Sequence, residues 1–179
     1  ITLRLVRLGD RILSMLAGFL ILVMFLYGGY SLWDTARIYG NAAVGEELLK
    51  YKPTSETEGE HLSLQELALI NPDTRGWLTI PDTHVDYPVL QGNDDMEYIN
   101  KDVFGEFSLS GSLFLSCRNS SDFSDGYSLI YGHHMDHGGM FGDVVEYTDI
   151  SYFEKHMEGW LYLADATYQI QMFACVETD

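Results

Sequence analysis

The side chains most able to do chemistry lie close together, in the seven residues from Tyr131 to His137 (YGHHMDH). A histidine that follows a glycine at a strand end can be held rigidly while it faces a groove. Because its pKa lies near neutrality, it is suited to proton transfer. His133 is therefore a candidate general acid or base. The alternative at this stage is a surface loop whose histidines are only solvated.

Two other chemistries fit the same residue types. His133, His134, His137 and Asp136 are plausible metal ligands, but their spacing matches no strong zinc signature and neighbouring strand-end histidines tend to point apart. We therefore predict no metal site and no cofactor. The second is a cysteine–histidine enzyme, in which an imidazole works with a thiolate.

The sequence contains two cysteines, Cys117 beside a loop and Cys175 within an apparent strand. Each also fits a small buried apolar residue, and outside the cell the two could form a disulfide. Neither has a local sequence typical of a nucleophile. A Ser-His-Asp arrangement is not favoured, since the sequence has no G-x-S-x-G elbow.

The elements around these residues are mainly short strands. A capping box formed by Ser63 and Glu66 predicts a helix with an apolar stripe, which ends at Asn71-Pro72. Short helical segments are predicted at 97–100, 140–147 and 151–156. Runs rich in β-branched and aromatic residues predict six strands, at 77–80, 85–90, 112–116, 128–131, 160–163 and 168–176. This pattern predicts a mainly β sandwich or barrel. Because the sequence stops directly after a strand, we expect the barrel to be incomplete.

An apolar segment precedes the β-rich part. Residues 12–33 contain no charged side chain and are long enough to cross a bilayer core of ~30 Å as a helix. Arg4, Arg7 and Arg11 come before this span, so the positive-inside bias predicts a signal anchor with residues 1–11 in the cytoplasm. Residues 34–70 are expected to form a juxtamembrane helical segment, broken near Gly40 and Gly45, with a solvated linker at 51–60. Residues 71–179 would be the outer domain.

The charge is distributed unevenly along the chain. The formal net charge is −17, and the part from Asp34 onward holds 26 acidic and 7 basic residues. Such a surface repels phosphate backbones, so nucleic-acid binding is disfavoured.

Several short motifs, taken in order behind an N-terminal anchor, resemble the class B sortases. These are cysteine transpeptidases that attach proteins to Gram-positive cell walls or build pili. The motifs are INPD at 70–73, GWL at 76–78, YPVLQG at 87–92, GSLFL at 111–115, RN at 118–119, YGHHM at 131–135 and MFGD at 140–143.

The resemblance implies an eight-stranded β-barrel behind a helical N-terminal bundle, with a membrane-held catalytic domain outside the cell. It implies that a thiolate attacks a sorting motif such as LPxTG or NPxTx, and that a cell-wall or pilin amine resolves the thioacyl enzyme. His133 matches the catalytic histidine, Tyr131 and Asn119 match positions that line the substrate groove, and His134 is a neighbour. A packed-strand role for Tyr131 and a loop-capping role for Asn119 remain alternatives.

The sequence departs from this family at one important point. The family's T-L-x-T-C strand and the arginine that follows it are missing, and Cys175 aligns with the preceding strand. The expectation is a C-terminally truncated sortase that is inactive as it stands. A non-catalytic extracytoplasmic module with a sortase-like groove is the alternative, and a metal-binding protein is a third.

Overall fold

A computed structural model describes residues 2–42, 46–53 and 61–178. The chain divides into two compact units, Ile1–Arg37 and Ile38–Asp179. Within the first lies most of helix α1 (Thr2–Ala42), whose stretch Arg7–Ile38 has a mean hydropathy of 2.2 and no buried residues in its most apolar window. By length and composition this helix could cross a membrane, or serve as a signal sequence.

The expected break at Gly40 is wrong, because α1 continues through that residue to Ala42. Gly40 has no neighbouring atoms that a side chain would meet, and a single glycine within a helix costs only about 1 kcal/mol relative to alanine. Gly45 lies outside the described residues. A short helix α2 (Glu46–Leu49) follows.

The predicted solvated linker is wrong at its start. Tyr51 is 7% exposed and belongs to the apolar core, and Lys52 forms an ion pair with Asp86 on the sheet. These contacts fix residues 51–53 against the domain although their composition is that of a loop. The rest of the predicted linker, 54–60, lies outside the described residues.

Helix α3 (Leu62–Ile70) confirms the predicted helix but not the capping box. The residue before the helix is His61, and no side chain caps the first turn. His61 is fixed instead by its own backbone N–H, which donates to the Ala164 carbonyl. Because a tertiary contact sets the start, the local capping signal at Ser63 does not. The predicted apolar stripe is half right, since Leu64 and Leu67 are buried whereas Leu69 and Ile70 are exposed.

Six strands form one sheet in the order β4-β3-β2-β1-β5-β6, which curls into half a barrel. The strands are β1 (Thr74–Thr79), β2 (Asp86–Leu90), β3 (Leu113–Leu115), β4 (Ile130–Tyr131), β5 (Glu158–Tyr162) and β6 (Thr167–Gln171). Each overlaps a predicted strand. All neighbours are antiparallel except β2 and β3, which are parallel.

The connections contain little helix. Two 3₁₀ helices (Asp136–Gly138 and Gly142–Thr148) and helix α4 (Ile150–Phe153) lie between β4 and β5. The segment predicted as a short helix at 97–100 is a turn.

The central strands β1, β2 and β3 are buried on both faces, which explains their continuous apolar runs. Successive side chains of a strand point to opposite faces, so Trp77 and Phe114 join one core cluster, whereas Leu78 and Leu113 join the other. The first cluster includes Leu64 and Leu67 from α3, and the second includes Met140 from the loop after β4. The strand end that carries the histidines is therefore fixed from both sides.

Candidate active site

Residues 131–137, which include three histidines, begin at the last residue of β4, and a close contact at Gly132 fixes the direction of the chain. A Cβ on Gly132 would collide with the Leu113 side chain and would lie 2.7 Å from Cδ2 of Phe141. Glycine is therefore the residue that lets the chain pass between these two side chains. The Phe141 N–H donates to the His133 carbonyl at 2.9 Å, and His134 forms an isolated antiparallel β-bridge with Met140. These backbone contacts close the loop 133–141 at its base.

His133 lies in an open groove of about 350 Å³. Its Nε2 forms a hydrogen bond with the carbonyl oxygen of Ile99 at 2.7 Å. The groove is lined by Asp95, Met96, Ile99, Phe114, Tyr131, Gly132 and His133. His133 is half-buried, whereas its neighbour His134 is exposed and does not line the groove. The two adjacent histidines are thus in different environments.

Tyr131 and Asn119 lie in different parts of this region. Tyr131 lines the groove, is 37% exposed, and packs on Phe114 with ring centroids 5.2 Å apart. Asn119 holds the loop before β4: its Nδ2 donates to Asp125 at 2.9 Å and to the Tyr127 carbonyl at 2.7 Å. Its Oδ1 accepts from the Leu129 N–H. The structure therefore brings Tyr131 together with His133 and gives the Asn119 side chain a loop-capping position.

A carboxylate in the groove was missed by the sequence analysis. Asp95 accepts from the Cys117 N–H at 2.7 Å and from the Ser116 hydroxyl at 3.2 Å. These hydrogen bonds, that from the Cys117 backbone most of all, lower the pKa of Asp95, so the groove contains a carboxylate at neutral pH. Asp95 stands in the run Asn93-Asp94-Asp95, and its sequence gives no sign that it differs from the other surface acids.

Both cysteines are exposed, and the thiolate of one of them, Cys117, is disfavoured. Cys117 is exposed, and desolvation together with the nearby Asp95 carboxylate raises its pKa, which disfavours the thiolate. Cys175 is also exposed, beyond β6, with its Sγ 3.9 Å from the Val144 carbonyl oxygen. Both are free thiols, so no disulfide joins them in this structure.

The metal-binding alternative has no geometric support within the described ranges 2–42, 46–53 and 61–178. No group of three His, Cys, Asp or Glu side chains there could hold a metal ion.

Relatives of known identity match this chain in sequence and in fold. Sortase B of Listeria monocytogenes is 36% identical over 126 residues, which are 70% of this chain and 51% of the relative. A Streptococcus pyogenes class B sortase involved in pilus biogenesis is 47% identical, with a TM-score of 0.62 over 64% of each chain. The chain belongs to the class B sortases. Sortase B of Staphylococcus aureus is 29% identical over 163 residues, 89% of this chain and 67% of the relative.

The match to these sortases covers only part of their length. The chain spans about half of the Listeria relative, 51%, and 48% of a crystallised Staphylococcus aureus sortase B complexed with MTSET, which it matches with a TM-score of 0.60 and 33% identity. No family model matches the chain.

Proposed function

We propose that this chain forms the histidine-bearing half of a membrane-anchored class B sortase-type transpeptidase. The observation that carries the proposal is the position of His133, at a strand end, half-buried, and lining an open groove. Groups in such a position can exchange a proton with a bound substrate while they stay fixed to the scaffold. The kinship with class B sortases supports transpeptidation as the reaction.

The reaction is a two-step acyl transfer to an amine. A cysteine thiolate attacks the carbonyl carbon of a sorting-motif peptide bond, and His133 gives a proton to the leaving amine as that bond breaks. An acceptor amine then attacks the thioacyl carbon and releases the thiolate. We propose LPxTG- or NPxTx-like sorting motifs as substrates. The acceptor would be an amine of a cell-wall precursor or a pilin, and the pilus role of the Streptococcus pyogenes relative supports the pilin.

Two further residues contribute to substrate binding in this proposal. Tyr131 lines the groove and would contact the peptide directly. Asn119 would act indirectly, because its amide already makes hydrogen bonds to Asp125, Tyr127 and Leu129 and thereby holds the loop that leads into β4.

The nucleophile would come from outside these 179 residues. The pKa of Cys117 is shifted in the direction that disfavours a thiolate, and Cys175 lies beyond the last strand. We therefore propose that this chain alone binds substrate without cleaving it, and that activity belongs to a longer protein that also supplies an activated cysteine.

The anchor would be helix α1, which would hold the catalytic unit outside the cell. Arg4, Arg7 and Arg11 precede its apolar part, and this bias favours a cytoplasmic N-terminus. Tyr27, Tyr30 and Trp33 would lie at the opposite headgroup zone, where amphipathic rings are favoured.

The test compares His133→Ala with the matched control His134→Ala, which removes the exposed neighbouring imidazole. In the longest natural protein containing this chain, we expect His133→Ala to lower cleavage of a sorting peptide by about 10²- to 10⁴-fold, the usual contribution of general acid catalysis. His134→Ala should keep most of the activity. The assay measures peptide cleavage and transfer to hydroxylamine as the acceptor amine.

Equal losses in both variants would reject the choice of His133. A natural protein that binds the peptide in the groove but has no cysteine able to cleave it would instead establish the non-catalytic binding module.

A further inference from the structure

The hydrogen bond at His133 determines which ring nitrogen exchanges protons. A carbonyl oxygen accepts hydrogen bonds and cannot donate them, so the 2.7 Å contact with Ile99 requires a hydrogen on Nε2 of His133. In the neutral ring, Nδ1 is then the nitrogen without a hydrogen. It follows that Nδ1 gains and loses the proton while Nε2 stays bonded to the backbone.

The Ile99 carbonyl is oriented by a second loop. The Ser112 N–H donates to the Tyr98 carbonyl at 3.0 Å, and the Ser108 N–H donates to the Asn100 carbonyl at 2.9 Å. The carbonyls on either side of Ile99 are therefore bonded to residues 108–112, whereas that of Ile99 bonds to the histidine. This arrangement requires residues 98–100 and residues 108–112 to be in backbone contact.

Gly111 is the residue that allows this contact. A Cβ at position 111 would collide with the Ile99 carbonyl oxygen and would lie 2.7 Å from the Tyr98 carbonyl oxygen. Both are backbone atoms, so no side-chain rotation could relieve the clash. Gly111 also has a φ of +61°, a conformation that side-chain-bearing residues rarely adopt. Any larger residue must displace the carbonyl that holds His133.

We propose that Gly111 is a positioning residue for His133: it lets the Ile99 carbonyl hold the imidazole as the Nε2–H tautomer, with Nδ1 facing the reaction. The tautomer follows from the hydrogen bond alone. The further step, in which the proton on Nδ1 passes to the leaving amine, rests on the proposed function. Gly111 itself touches no substrate in this scheme.

The test reads the tautomer directly, by nitrogen NMR of the full chain in detergent micelles with ¹⁵N-labelled histidine rings. The two neutral tautomers give different shifts and couplings at Nδ1 and Nε2, and the His133→Gln variant assigns the His133 signals among the six histidines. We expect the neutral His133 ring to be the Nε2–H form. Gly111→Ala should replace that pattern by a mixture of tautomers.

Gly105→Ala is the matched control. Gly105 also has a positive φ (+84°), but a Cβ there would meet no atom within 4 Å. It therefore imposes the same backbone strain without contact to Ile99, and should leave the His133 signals unchanged. Tryptophan emission of each variant verifies folding, and if Gly111→Ala does not fold, Gly111→Asn replaces it, because asparagine tolerates positive φ better.

Two results would overturn the proposal: the Nδ1–H form in the unmodified chain, or a folded variant at position 111 that keeps the Nε2–H form. Activity is a separate readout. If the longer protein is a transpeptidase, Gly111→Ala should lower kcat on the order of tenfold to a hundredfold with little change in KM. Absence of any transpeptidase activity would reject the proposed function and leave the tautomer result standing.

Discussion

Replacing Asp86 tests how much its carboxylate contributes to the free energy of unfolding of the domain. One oxygen of this carboxylate, Oδ1, accepts from the indole Nε1 of Trp77 at 2.9 Å and from the Thr79 hydroxyl at 2.8 Å. The other, Oδ2, lies 2.6 Å from Nζ of Lys52. Asp86 thus joins strands β1 and β2 to the segment after α2. We predict that Asp86→Ala lowers the free energy of unfolding markedly.

The size of the effect follows from the burial of each partner. Trp77 is fully buried, and an indole N–H left without an acceptor there costs about 1–3 kcal/mol. The side chains of Lys52 and Asp86 are 35% and 27% exposed, so their ion pair contributes ~0–1 kcal/mol. The Thr79 hydroxyl is half-buried and can rotate towards water. We therefore expect Asp86→Ala to cost about 1–4 kcal/mol, most of it from the indole.

The assay is urea denaturation of the full chain in a non-ionic detergent, followed by tryptophan emission. The matched control is Lys52→Met, which removes the ion pair, keeps most of the side-chain length and leaves the indole hydrogen bond intact. It should cost less than about 1 kcal/mol. Combining Asp86→Ala with Trp77→Phe gives the coupling between carboxylate and indole, expected at about 0.5–3 kcal/mol for side chains in contact.

Equal losses in Asp86→Ala and Lys52→Met would refute this reasoning, because they would assign the stability to the ion pair. A loss below about 1 kcal/mol in Asp86→Ala would also refute it, since water would then satisfy the indole as well as the carboxylate does.

Two further predictions concern α3 and the residue before it. Burial lowers the pKa of His61, so the folded protein binds fewer protons there than the unfolded chain, whose histidine titrates near pH 6.5. The contribution of neutral His61 to the free energy of unfolding is therefore fully present above about pH 6.5 and is lost as the pH falls towards the folded pKa. The urea midpoint of the unmodified chain should fall over that pH range, and the midpoint of His61→Gln should fall less. On α3, Leu67→Ala should cost about 2–5 kcal/mol and Leu69→Ala less than about 0.5 kcal/mol, because Leu67 is buried and Leu69 is 86% exposed. Similar losses in the two leucine variants would contradict the observed face of the helix.

Most of the strands were predictable because they are short runs of apolar or aromatic residues bounded by turn residues. Leu113–Leu115 is buried at every position, and its neighbours Ser112 and Ser116 mark its ends. The pairing of the strands could not be read in the same way. Strand β1 lies between β2 and β5, and β3 lies parallel to β2, because of contacts between segments far apart in the chain. No local pattern contains that information.

Errors in the helical part have the same origin. The capping box at Ser63 is a local signal, but His61 is hydrogen-bonded to Ala164 on the β5–β6 connection and to Thr167 at the start of β6. These contacts set where α3 begins. Tyr51 has loop-like neighbours in sequence, yet it is buried in the core. In both cases a contact across the fold outweighs a local preference worth about 1 kcal/mol.

The candidate site shows why a side chain with reactive chemistry is easier to predict than the group that controls it. His133 attracts attention because an unperturbed imidazole titrates near neutral pH, a property that belongs to the residue type and can be read from sequence. Its partner is a backbone carbonyl, which every residue has, so the identity of Ile99 carries no signal. The constraint instead falls on Gly111, where any side chain would displace that carbonyl. The sequence thus records the positioning of the histidine only as a missing Cβ, twenty-two residues before the ring that it orients.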